Sequence, residues 1–364
     1  MSILRGHKLP KSSKILLGLL TGISILLLVL KYQQFQSLQS LQSLQSSLDE
    51  IKFHDVKISF IQLIPRSTIY NPWVLILSIF AEISIISFIF SFVVLYIGSK
   101  FAERFWGNYL EVIKFVIIVG SITNLITVII AIISNIIRQD GKNMDQPLGG
   151  GISYYFGFLV VCKQLIPEHN IVLFQGLINF RVKHVPFALI IFLSLWSIII
   201  SQSLYPAIPS IGSFFVSYFY LRFFQSLNTE PTLPIATTTT STTTTTNSGN
   251  NGSSIDMQNS SIMIGDASDT FQLIDFFPQV TRPILTPIFQ HGYDISVFLG
   301  IITPFNDEIV EQSNLRAQKR QEQTNQTQKN VAKSVAERRR QVALQVIEDR
   351  INKETAANGA VTNQ

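Results

Sequence analysis

Most apolar residues of this chain sit in long runs. They gather in blocks that almost exclude charge. Six such blocks stand out: Ile15–Leu30, Trp73–Ile97, Val112–Ile137, Leu148–Ile166, Val185–Ile200 and Ala207–Phe224. A bilayer-spanning helix needs about 20 mainly apolar residues, with a range of about 17–25. The first and fifth blocks are slightly short and must borrow flanking residues. The blocks are rich in Ile and Val, which in water would favour strands. In lipid every backbone group must find its partner within the segment, so helices win. The expected fold is all-α, a polytopic membrane bundle of six transmembrane helices.

The polar remainder divides the rest of the chain. Residues 1–14 form a basic N-terminus and 15–225 the transmembrane bundle. Residues 226–267, with the Thr237–Thr246 run and an Asn/Ser/Gly stretch, cannot bury enough apolar surface to fold and are expected to be a disordered linker. Residues 268–305 form a membrane-proximal apolar segment. Its Phe271–Pro278 stretch is too short to span and should lie at the membrane face or against the spans. Pro278, Pro283 and Pro287 are expected to break any long helix there. Residues 306–364 form a charged tail, in which Ile309–Lys353 lacks Gly and Pro and reads as a helix. Val335, Val342, Val346, Ile347 and Ile351 give that helix a thin apolar stripe, with Arg338, Arg339 and Arg340 beside it as candidate partner-binding residues. The Gln-Ser-Leu repeat of Gln36–Ser47 reads as an expanded low-complexity loop. The alternative is a short helical stripe of Leu38, Leu41 and Leu44.

Composition agrees with a membrane protein. Hydrophobic residues make up 47% and charged residues 14% of the 364 residues, against roughly 25% charged in a soluble domain. With a mean hydropathy of +0.32, this excludes a soluble globular enzyme and a disordered scaffold. The isoelectric point near 9.2 does not indicate nucleic acid, because Lys and Arg mark the cytosolic side of membrane proteins. Arg5, Lys8, Lys11 and Lys14 precede the first block, and Lys31-Tyr-Gln follows it in place of a small-x-small site. The first block is therefore expected to be an uncleaved signal anchor with a cytosolic N-terminus. Six spans return the C-terminus to the cytosol. Lys100, Arg104, Lys163, Arg181, Lys183 and Arg222 fall on the cytosolic side of that topology, and Arg138 and Lys142 on the lumenal side. Four basic residues in a long first lumenal loop run mildly against it. The sequons at Asn251, Asn259 and Asn325 all lie in the tail and should be unmodified. The single cysteine, Cys162, excludes a disulfide framework and a cysteine-based zinc site.

Few residues carry candidate chemistry. Glu82 falls inside the second block, where a carboxylate is expensive and defaults to a functional contact unless the span starts later. Glu103, Trp106, Gly107 and Glu111 cluster at the mouth of the third block and read as structural support. Gly149, Gly150, Gly151 and Ser153 open the fourth block, with Gly157 further in, and such small residues permit close packing in lipid. Glu82, Gly149, Gly150, Ser153 and Gly157 are the candidate intramembrane contacts. Gly151-Ile-Ser153 also resembles the Gly-x-Ser that carries the nucleophile of rhomboid intramembrane proteases. A serine needs a positioned base, and in rhomboids that base is a histidine in the sixth span. Here Ala207–Phe224 holds none: His7, His54, His169, His184 and His291 all fall outside the six blocks. No metal-ligand spacing and no phosphate-binding loop occurs, so no cofactor is expected.

Several stretches, taken in order, resemble the rhomboid-like transmembrane protein 115 family of the Golgi. They are Glu103-Arg-Phe-Trp-Gly-Asn-Tyr-Leu-Glu111, Gly157-Phe-Leu-Val-Val-Cys-Lys-Gln164, Ser217-Tyr-Phe-Tyr-Leu-Arg-Phe-Phe-Gln225, Phe276-Phe-Pro278 and Ala336-Glu-Arg-Arg-Arg-Gln-Val-Ala-Leu-Gln-Val-Ile-Glu-Asp-Arg350. The likeness covers roughly residues 60–225 and 268–351. It implies a six-helix rhomboid-like bundle without a catalytic dyad, in Golgi membranes, with a cytosolic tail. It also implies a role in retrograde Golgi-to-endoplasmic-reticulum traffic with an indirect effect on glycosylation. The partners it implies are the lipid bilayer, the conserved oligomeric Golgi tethering complex and further copies of the chain. Ser153 departs from the family, whose members carry glycine there. The resulting expectation is a non-catalytic adaptor. The alternative is an intramembrane serine protease using Ser153. A transporter is disfavoured by the scarcity of intramembrane charge and of broken inverted repeats.

Overall fold

A computed structural model describes residues 9–44, 53, 56–139, 144–166, 170–173, 178–203, 205–228 and 262–322, together with 326, 337, 338, 340, 341, 343–345 and 347. Each apolar block meets one helix: α1 (Lys11–Leu44), α2 (Ile85–Trp106), α3 (Tyr109–Arg138), α4 (Ile152–Leu165), α5 (Val185–Trp196) and α6 (Ala207–Phe219). A five-residue π turn prolongs α5 to Ser201, and another prolongs α6 to Phe224. Beyond the bundle come α7 (Arg282–Phe298) and α8, over residues 307–322. Two small antiparallel ribbons complete the described part. One pairs β1 (Asn170–Leu173) with β2 (Ile178–Arg181), the other β3 (Ser226–Asn228) with β4 (Ile262–Ile264). The chain is an all-α polytopic bundle.

The packing is that of a lipid-embedded protein. Large apolar side chains face outward, among them Ile85, Ile86, Ile137 and Ile198, each more than two-thirds exposed. Small polar side chains fill the helix contacts instead: Ser13, Ser91, Ser99, Thr123, Ser213 and Ser217 are fully buried. Lipid offers apolar side chains as good an environment as the protein interior does, so close backbone approach and hydrogen bonds drive association. Gly157 shows the first. A Cβ there would stand 2.9 Å from Ser217 Oγ and 3.1 Å from the Phe115 ring, so α4 lies against α6 and α3 with no room for a side chain. Phe115 organises the surrounding aromatic layer, with Trp106, Phe158 and Tyr220 at ring distances of 5.6, 6.1 and 5.7 Å.

Four helical stretches among the described residues are long and apolar enough to cross a membrane: Lys11–Ser40, Ile85–Trp106, Tyr109–Ile137 and Val182–Ser201. At 14 residues, α4 rises only about 21 Å. It lies in the centre, with Tyr154, Phe156, Phe158, Val160 and Val161 buried against its neighbours.

Four expectations are corrected. The second span starts later than Trp73. Val74–Leu77 makes one turn, Ser78–Phe80 a 3-10 turn, residues 81–84 are extended, and α2 begins at Ile85. The Gln-Ser-Leu repeat is helical as far as Leu44 and continues α1, because Phe35 and Leu38 pack on a cluster of Leu27, Val56, Ile58 and Ile61. Within the expected linker 226–267, the two ends form β3 and β4, and residues 266–268 are buried in the bundle. The prolines do not prevent α7. Pro283 sits in the first turn, where its missing N–H needs no partner, and Pro287 forfeits one bond on an exposed face. Thr237–Thr246, the three sequons and Arg339 lie outside the described residues.

Candidate functional site

The helices alternate in direction, so the bundle has two polar ends. We call the end holding Lys11 the near end and the end holding Glu82 the far end.

At the far end, Glu82 lies in the extended stretch just before α2. Its Oε1 accepts from Ser91 Oγ at 2.7 Å and from the Gly151 amide at 2.8 Å. Ser91 Oγ also meets Tyr155 Oη at 2.5 Å, and the Glu82 amide donates to Ser24 Oγ at 3.2 Å. The Glu82 carboxylate thus ties α2 to the N-terminus of α4, and its amide adds a tie to α1. The glycines explain how it gets there. Gly150 has φ +120°, and a Cβ on it would meet Glu82 Oε1 at 3.4 Å; Gly149 abuts Leu63 and Ser78 with no room for a Cβ. Glu82, Gly149 and Gly150 therefore come together, as their separate positions in the sequence did not indicate. Gly157 lies lower on α4, in the helix contact already described.

Ser153 is buried on the first turn of α4, and its Oγ donates to the Gly150 carbonyl at 2.9 Å. That bond occupies the hydroxyl proton that a base would have to take. The Gly151 N–H beside it, at the helix start where an oxyanion would bind, is taken by Glu82. His184 is at the other end. Its Nδ1 lies 3.4 Å from the Phe276 carbonyl, and the Phe276 ring in turn meets the Lys163 ammonium at 5.3 Å. Lys163 is ten residues beyond Ser153, or about 15 Å along α4. No group of three or more His, Cys, Asp or Glu side chains among the described residues could hold a metal.

The near end holds the Glu103–Glu111 motif. Glu103 reaches back to α1 and accepts from the Ser12 amide at 2.9 Å, the Lys11 amide at 3.3 Å and the Ser12 hydroxyl. A carboxylate there satisfies orphan N–H groups and meets the positive end of the helix dipole. Trp106 packs edge-on against Phe115. Gly107 ends α2 at φ +69°, a left-handed position that costs glycine little. Asn108 then caps α3 by accepting from the Leu110 amide at 3.0 Å. Glu111 is buried and accepts from Tyr220 Oη at 2.7 Å, Ser226 Oγ at 2.9 Å and the Ser226 amide at 3.2 Å. It fastens the start of α3 to the point where the chain leaves α6.

A third polar cluster, at the near end, was not singled out from the sequence. Asp266 is buried, and its carboxylate accepts from Arg320 Nη2 and Gln164 Nε2, each at 3.0 Å, and from the Ser268 amide at 3.2 Å. Gln164 Nε2 also donates to Gln225 Oε1 at 2.9 Å. Arg222 donates to the Asp266 and Ser268 carbonyls at 2.8 and 2.7 Å. Alongside, the Ala267 amide donates to Ser313 Oγ, and Asp269 and Asn314 pair reciprocally at 2.8 Å. Burial alone would push the Asp266 carboxyl up, but Arg320 and the Ser268 donors outweigh it and hold the group below its ordinary value. Lys163 completes the arrangement, fully buried 3.6 Å from Asp275. This clasp joins α4, α6 and α8 through residues far apart in sequence, so no local spacing reveals it. The only sequence signal was a pair of aspartates, Asp266 and Asp269, among small residues at the end of the expected linker. Arg338 and Arg340 are exposed in helical segments further along the tail.

Comparison with known proteins agrees with this architecture. Residues 14–353 match the family described as eukaryotic integral membrane protein (DUF1751). The chain is 33% identical over 302 residues to a transmembrane protein 115 homolog of Saccharomyces cerevisiae, covering 80% of each chain. It is 27% identical over 239 residues to rhomboid-like protein 19 of Arabidopsis thaliana, covering 65% of this chain and 66% of that one. No solved structure matches it.

Proposed function

This chain belongs to the DUF1751 family of eukaryotic integral membrane proteins, and from that premise we propose that it is a non-catalytic adaptor of the Golgi membrane. In this reading both termini are cytosolic and the near end faces the cytosol. The bundle recognises cargo within the bilayer, while Glu82, Gly149, Gly150 and Gly157 are engaged in packing its own helices. The tail, through Arg338, Arg339 and Arg340, engages the conserved oligomeric Golgi tethering complex in retrograde traffic to the endoplasmic reticulum, which indirectly supports glycosylation. Self-association belongs to the same proposal.

The observation that supports a non-catalytic role is the state of Ser153. Its hydroxyl donates to its own helix turn, the neighbouring amide is held by Glu82, and His184 is at the opposite end of α4. The alternative, a serine protease using Ser153, predicts fluorophosphonate labelling of the full chain that disappears in Ser153→Ala. We expect no difference between the two forms, and Ser153-dependent labelling would overturn the non-catalytic reading.

The adaptor role is tested by tagged co-purification from solubilised membranes. Replacing Arg338, Arg339 and Arg340 together with Ala should lower recovery of tethering subunits and leave the bundle folded, since Arg338 and Arg340 are solvent-exposed. Undiminished recovery would remove the role given to these residues. The arginine triple is a sharper instrument than truncation after Ser226, which would strip the buried Phe271 and Phe276 from the core. Retrieval of a cycling reporter to the endoplasmic reticulum, slowed without the chain and restored by the native form but not by the arginine triple, tests the traffic role directly.

A further inference from the structure

A large groove, about 1510 Å³, opens between α3, α6 and α7. Its α3 wall is a single stripe of Glu111, Lys114, Ile118 and Ile122. Its α6 wall is aromatic, with Phe215, Phe219 and Phe223, and α7 adds Ile288, Phe289 and Tyr293. Glu111, Lys114 and Ser226 line one end, where α3 begins, and Thr286, Gln290 and Ser296 add uncharged polar groups from α7. Glu111 and Ser226 are already bonded to each other there, and Glu111 is further engaged by Tyr220. Lys114 is different. Its side chain is exposed, and no acidic side chain among the described residues pairs with its ammonium.

The dimensions are those of one leaflet. From Glu111 to Ile122 is 11 residues, about 16 Å along the helix, and half of a roughly 30 Å hydrocarbon core is about 15 Å. The polar end lies where α3 begins, at the level of the headgroups. The α7 wall also carries exposed Ile284, Ile288, Ile295 and Phe298, the apolar side chains an interfacial amphipathic helix presents to lipid. A second protein's helix would have no need of a cation at the groove's polar end. A phosphodiester with acyl chains running down an aromatic wall would.

We propose that this groove is a binding site for an anionic phospholipid of the near-end leaflet, its phosphate on Lys114 and an acyl chain along Ile118, Ile122, Phe215 and Phe219. Basic pockets between membrane helices on the cytosolic side recognise anionic headgroups in this way. The site is independent of Ser153, Glu82 and the arginines of the tail.

The test uses the full chain in lipid nanodiscs and two probes that carry the same photoactivatable acyl chain, one a phosphatidylserine and one a phosphatidylcholine. Cross-links should map to peptides containing Ile118–Ile122 and Phe215–Phe219. The phosphatidylserine probe should label these roughly fivefold more strongly, the order of effect of one lysine near an anionic headgroup. Lys114→Gln should abolish the preference, and Lys114→Arg should keep it. Gly292→Phe adds a ring in the groove at a position where a Cβ meets nothing within 4 Å, and it should reduce labelling by both probes. Equal labelling by the two probes in the native chain, a preference that survives Lys114→Gln, or a groove shielded from both probes by a second copy or another protein would each overturn the proposal.

Discussion

Removing the Asp266 carboxylate should release the tail from the bundle while leaving the spans in place. In the native chain this group is 3% exposed and Arg320 is 13% exposed, and they meet at 3.0 Å. Asp266→Ala deletes that ion pair together with the bonds from Gln164 and the Ser268 amide, and it leaves a guanidinium in a site built to neutralise it. Breaking a buried pair from one side costs about 3–5 kcal/mol, a factor of roughly 140 to 4000 in an opening equilibrium at about 1.4 kcal/mol per tenfold. Hydrogen exchange in nanodiscs reads this locally. Amides of α8 should exchange faster by up to that factor, and amides in the middle of α3 should be unchanged. The reasoning has a second check in Arg320→Ala. The two groups share the bond between Arg320 Nη2 and Asp266 Oδ2, so the double variant should cost less than the sum of the two singles. Unchanged α8 exchange in Asp266→Ala, or strict additivity in the double variant, would refute the clasp.

Acidification probes the same clasp. The Asp266 carboxyl lies below its ordinary 3.8 when folded, so its stabilisation is present above about pH 4 and is lost as pH falls through the folded value. α8 protection should therefore be flat between about pH 5 and 8 and decline only below about pH 4, and a loss near neutrality would contradict the assignment. Gly157→Ala forces a Cβ to within 2.9 Å of Ser217 Oγ and should cost about 1–3 kcal/mol by overpacking, read as a lower thermal midpoint in detergent. Glu111→Ala strands the Tyr220 hydroxyl and the Ser226 amide and should cost a similar amount, about 1–3 kcal/mol for buried donors left unpaired. Glu103→Ala uncaps α1 and should cost about 0.5–2 kcal/mol, seen as earlier exchange of the Lys11–Lys14 amides with little change elsewhere.

Much of the architecture was legible because the bilayer imposes a simple rule. A block of apolar residues that must satisfy its own backbone can only be a helix, and each of the six blocks contains one. Where the rule weakens, the reading was less sharp. Trp73–Phe80 is as apolar as the α2 that follows, yet it folds as two short turns, because it packs on α3, where Ile79 fills the space left by Gly120. Composition cannot distinguish an apolar stretch that faces lipid from one that faces a neighbouring helix. The Gln-Ser-Leu repeat looked like filler, and its helical state depends on apolar residues around Val56–Ile61 that fold back beside it.

The sequence by itself determined the solvent and the helical class, because these depend on the summed transfer free energy of contiguous residues. The short motif at the mouth of the third block was equally local: a left-handed glycine followed by an asparagine cap dictates a turn wherever it occurs. Only the tertiary structure decided what the polar residues do. Glu82 meets Gly151 across 69 residues, Glu111 meets Ser226 across 115, and Asp266 meets Gln164 across 102. A carboxylate inside a membrane protein is tolerable only where donors from other segments converge on it, and that convergence is a property of the folded chain that no window of sequence contains.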